Sequence, residues 1–106
     1  MESKLAKELG AGRTVEAYIK MIGEQKLMCS QETIDRALEI HTAVKHTEIG
    51  TAPTMRACGT LWLAARSTGE RIHYKKWRPA SNNTVVANAK RILFRFKDKG
   101  ISFPNL

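Results

Sequence analysis

The sequence predicts an all-α protein of one domain, and three observations predict it. Its 106 residues are 42% hydrophobic but only 7% aromatic. Apolar residues recur at spacings of three and four, whereas alternating runs of strand formers are rare. Ser, Thr, Pro and Gly punctuate these periodic stretches where helices start and stop. A chain of this length is one ordinary domain, here read as residues 1–106 with a short tail over 99–106.

The elements follow in chain order. Lys4 to Leu9 reads as a short helix stopped at Gly10, and the segment GAG at 10–12 breaks the chain. Thr14 is a helix N-cap, followed by Val15, Tyr18, Ile19 and Ile22 at helical spacing, with Gly23 weakening the end. Ser30 caps the next helix, whose stripe is Thr33, Ile34, Ala37, Leu38, His41 and Val44. Its first turn is acidic and Lys45 closes its last, as the helix dipole prefers. Thr51 and Pro53 open a third helix that runs to Gly69. Met55, Ala57, Cys58, Thr60, Leu61, Leu63, Ala64 and Ala65 leave it little polar surface, which predicts the central helix of a bundle. Glu70 to Trp77 reads as a short helix or turn, ended by Pro79. Ser81 caps a last long helix, with Val85, Ala89, Ile92 and Phe96 on one face, Leu93 beside them, and Gly100 at its end.

Charge is partitioned along the chain. The formal net charge is +8, but residues 1–55 carry seven Lys/Arg against eight Asp/Glu, a net of −1, and residues 56–106 carry eleven against two, a net of +9. The second half therefore attracts polyanions, in a manner that salt weakens. Cys29 and Cys58 stand in no metal-like spacing and read as buried free thiols, with a disulfide as the second choice. The start MESKLAKELG has no apolar signal region, and no apolar run is long enough to span a membrane, so an intracellular setting, a prokaryotic cytoplasm or a nucleus, is expected.

The pattern that carries function lies near the C-terminus. A short basic helix with Arg71, His73, Lys75, Lys76 and Arg78, a turn at Pro79, and a helix opening with Ser81, Asn82, Asn83 and Thr84 stand in the order of a helix-turn-helix over about 70–98. Polar residues at the start of a recognition helix reach base edges in the major groove, Asn pairing with adenine and Arg with guanine. Asn82, Asn83, Thr84, Asn88 and Arg91 are the base-contact candidates. Arg71, His73, Lys75, Lys76, Arg78, Ser81, Lys90 and Arg95 are the phosphate-contact candidates. Ser81 to Thr84 also form an ordinary capping sequence, and the lysines also suit a solvated face.

Three segments resemble one cyclin-like repeat of the general transcription initiation factor B family of archaea and eukaryotes: ETIDRALEIHTAVKH, TAPTMRACGTLWLAARSTGERI and SNNTVVANAKRILFRF. The last is similar to the family's recognition helix, with Thr84 and Val85 at its Thr-Ile step. The resemblance covers residues from about 30 to 97. It implies a five-helix cyclin-like repeat whose last two helices form a helix-turn-helix. It also implies duplex DNA as partner, with the TATA-binding protein or another transcription factor, in transcription initiation or its regulation. A lone helix-turn-helix often needs a second copy or a partner protein for useful specificity, so a homodimer or a complex with another DNA-binding factor stays open. The chain departs from the family in having room for one repeat, in lacking zinc-ribbon cysteines, and at Val86, Ala87 and Ala89.

Other classes find less support. His41 and His46, five apart, do not share a helix face, and no phosphate loop, HExxH, GxSxG or carboxylate pair is present, so neither an enzyme nor a metal or cofactor site is expected. The main rival is a helical interaction module that holds an acidic partner or peptide in an interhelical groove. RNA is a third reading, thinly supported by Tyr74 and Trp77.

Overall fold

The computed structural model describes Gly10 and residues 13–45, 52–72 and 82–100. These residues form four α-helices and no strand: α1 (Val15–Met21), α2 (Gln31–Val44), α3 (Pro53–Thr68) and α4 (Asn82–Lys99). The expected helix at Lys4–Leu9, the cap at Ser81, and residues 73–81 and 101–106 lie outside the described residues.

Local chemistry explains most boundaries. Thr14 accepts a hydrogen bond from the Ala17 amide at 3.1 Å, and Ser30 accepts one from Thr33 at 3.2 Å, each relieving an orphan donor of a first turn. Pro53 occupies the first turn of α3, but Ala52 holds the cap position and offers no side-chain bond, which corrects the expected Thr51 cap. Gly69 ends α3 in the left-handed conformation, φ +81°, which only glycine adopts without strain. Gly23 does not end the first helix. The chain widens there into a π turn, Ile22–Lys26, in which Gly23 is buried against Ile34. The turn closes at the exposed Met28, held at φ +53°.

The core forms where the four apolar stripes meet. It contains Tyr18, Ile19 and Ile22 from the first segment and Ile34, Ala37, Ile40 and Val44 from α2. From α3 come Ala57, Cys58, Leu61, Leu63 and Ala64, and from α4 Val85, Ala89, Ile92 and Phe96. As expected of a helix apolar on most sides, α3 touches each of the other three. Its crossing with α4 is tight because Gly59 has no side chain: a Cβ there would lie 3.0 Å from the Ala89 nitrogen and the Asn88 Cβ. Both cysteines are free, Cys58 buried and Cys29 half-buried, and burial pushes their thiols up to about 12 and about 11.

Two tertiary contacts cap α2. Glu70, just past the end of α3, accepts from the Ser30 amide at 3.2 and 3.1 Å and from its hydroxyl at 3.3 Å. Thr33 and Thr68 join their hydroxyls at 2.7 Å beside it. At the other end, the Arg56 guanidinium donates to the Val44 carbonyl at 2.6 Å. A carboxylate thus sits at the positive end of α2 and a cation at the negative end. Of the segment read as a short helix or turn, Glu70, Arg71 and Ile72 are not helical, and residues 73–77 lie outside the described residues.

Candidate nucleic-acid interface

The geometry of α4 determines which basic residues can act together. Val85, Ala89, Ile92 and Phe96 face the core, one stripe at a spacing of three to four residues. The opposite face is then open. Asn83, Thr84, Ala87, Lys90, Arg91, Phe94, Lys97, Asp98 and Lys99 are exposed, and Arg95 is half-exposed. The described acid among them is Asp98, which lies 3.7 Å from Arg95. Lys90, Arg91 and Lys97 form no ion pair with a described residue. On α3, the exposed Arg66 lies over the Trp62 ring, 5.4 Å from its centroid, beside Lys90 and Leu93 of α4. The result is a cationic face on α4 that Arg66 extends onto α3.

The predicted base-contact residues divide. Asn83, Thr84 and Arg91 lie on the open face, and Asn82 is the first residue of α4. Asn88 does not join them. It is 6% exposed, packs against Gly59, and its Nδ2 donates to the Thr84 carbonyl at 2.9 Å. Its Oδ1 is buried with no hydrogen-bond partner. Asn88 is buried because it neighbours Ala89 of the core stripe, where the helix passes close to Gly59 of α3.

Of the predicted phosphate-contact residues, Lys90, Arg95 and Arg71 are at the surface, Arg95 in part. His73, Lys75, Lys76, Arg78 and Ser81 lie outside the described residues, so the positioning helix of the expected helix-turn-helix does too. Sequence reasoning missed Arg66, Lys97 and Phe94. Lys97 was within reach, since it follows Lys90 by two helical turns. Arg66 was not, because its place beside α4 depends on the α3–α4 crossing. Phe94 stands 62% exposed among the cations of α4.

A further polar cluster among the described residues is internal. His41 on α2 is 4% exposed, and its Nε2 lies 3.0 Å from the Glu16 carboxylate of α1, while its Nδ1 is buried with no hydrogen-bond partner. Burial lowers the His41 pKa, against the pull of Glu16. Its own backbone hydrogen bond lowers that of Glu16 more than burial raises it, and the histidine adds to the fall. Among the described residues no three His, Cys, Asp or Glu side chains stand where they could hold a metal ion. None of their helices is long and apolar enough to cross a membrane. No family model matches the chain, and neither a curated protein nor a solved structure does.

Proposed function

We propose that the protein binds duplex DNA through the open face of α4, in a transcriptional role. The observation that carries this reading is the segregation of charge on that helix. Lys90, Arg91 and Lys97 stand exposed and unpaired with described residues, Arg66 extends the row, and Asp98 is the one acid among the described residues of α4. A row of cations that is not spent on internal ion pairs is what a phosphate backbone neutralises, with release of its counterions.

Within this reading Asn83, Thr84 and Arg91 read base edges near the start of α4, and Ala87 between them suits a thymine methyl group. Lys90, Lys97, Arg66 and the half-exposed Arg95 hold phosphates. The finer assignments, a five-helix cyclin-like repeat and a helix-turn-helix whose first helix holds Lys75 and Lys76, belong to the same proposal and rest on the resemblance of the sequence. So does a role beside the TATA-binding protein or a second factor.

Fluorescence anisotropy of a labelled duplex tests the reading. The wild-type chain binds at low salt, and Arg91→Glu with Lys97→Glu weakens it by about tenfold or more at constant fold. Asn83→Ala reduces discrimination between selected and random duplexes by roughly 1–3 kcal/mol and leaves the salt dependence in place. A wild-type chain that binds no duplex at low salt overturns the proposal.

A further inference from the structure

On one flank of the cationic face, α3 and α4 enclose a small pocket of about 170 Å³. Trp62, Leu63 and Arg66 line it from α3, and Val86, Lys90 and Leu93 from α4. Three properties define what fits. The volume is below the roughly 300–1,000 Å³ of pockets that hold whole small molecules, and suits one side chain or one ring. The lining is mostly apolar, and its charged side chains are two cations. Those cations, Arg66 over the Trp62 ring and Lys90 with no ion pair to a described residue, are both exposed, and no acid lines the pocket.

A nucleobase meets the charge but not the floor. Its Watson–Crick edge would be buried against Leu63, Val86 and Leu93 with few partners, and unmade hydrogen bonds in an apolar site cost affinity. One face of the Trp62 ring is also taken by Arg66. An apolar side chain flanked by carboxylates meets both conditions. We propose that this groove docks an acidic amphipathic helix of a partner protein, one apolar residue filling the pocket and neighbouring carboxylates pairing with Arg66 and Lys90. The inference stands apart from the duplex-binding reading. Arg66 and Lys90 belong to both surfaces, so the two ligands compete for them.

The test uses the full chain and a labelled helical peptide of about five turns, with Leu at every third or fourth position and Glu between. Two control peptides replace every Glu by Lys, or every Leu by Ser. Anisotropy follows binding, and circular dichroism checks each variant. The acidic peptide binds the wild type and both controls fail. Arg66→Glu, an exposed substitution, and Leu93→Ser each weaken the acidic peptide about tenfold or more. Leu93→Ser leaves duplex binding within about twofold, since it removes no charge. The proposal falls if the wild type does not bind the acidic peptide, or if the Lys peptide binds equally well. It also falls if both variants keep wild-type affinity. A Leu93→Ser chain that loses a single-stranded oligonucleotide but keeps the peptide would make this a base pocket instead.

Discussion

His41 shows how a residue that reads as part of an apolar stripe acquires an electrostatic role. Its ring is buried, it pairs with Glu16 on one nitrogen, and the other has no hydrogen-bond partner. A histidine whose folded pKa lies below its unfolded value of about 6.5 binds fewer protons when folded, so stability rises with pH across that interval. The contribution is complete above about 6.5 and is lost as pH falls toward the folded value. Urea midpoints should therefore fall between pH 7.5 and pH 5, and fall less in His41→Gln, which keeps a donor for Glu16. Equal losses in the two proteins would assign the acid sensitivity elsewhere. Asn88 teaches the complementary lesson. Its residue type suits adenine, but its position one step from Ala89 buries it against Gly59.

Among the elements, α2 and the α3–α4 crossing carry the most specific predictions. Glu70 supplies the acceptor for the Ser30 amide that a capping box would take from within its own helix, where this chain has Thr33 instead. Glu70→Ala should cost about 0.5–1 kcal/mol, the usual scale of a partly exposed helix cap. A double-mutant cycle with Ser30→Ala should show non-additive losses, because the two share one site. Gly59→Ala should destabilise by roughly 1–3 kcal/mol, since a methyl group there meets the α4 backbone. The intrinsic helix preference of alanine, about 1 kcal/mol, offsets only part of this. Thermal denaturation of both variants measures the effects, and an unchanged Gly59→Ala midpoint would mean that the two helices part at little cost.

At the scale of the whole molecule, charge is the dominant property. The net +9 of residues 56–106, against −1 for residues 1–55, makes one half of the chain a polyanion attractor. The logarithm of the duplex association constant should fall linearly with the logarithm of salt concentration. Each of Lys90→Ala, Arg91→Ala and Lys97→Ala should reduce the slope by about one if it contacts a phosphate. A slope unmoved by all three would place the duplex elsewhere on the surface.

Much of the architecture is legible in the sequence. The stripe Val85, Ala89, Ile92 and Phe96, the caps Thr14 and Ser30, the stop at Gly69 and the central place of α3 follow from interactions within a turn or two of chain. The sequence by itself also determined the partition of charge. What it could not decide is which neighbour covers each flank. The burial of Asn88, the Glu70 cap, the Glu16–His41 pair, the place of Arg66 and the pocket lined by Trp62 all arise where separate helices meet. Helical periodicity and capping are local and can be read from spacing, whereas the environment of a flanking residue is decided by how closely another backbone approaches. Here Gly59 decides it, by letting α4 come near enough to bury Asn88 while Asn83, Thr84 and Arg91 stay open.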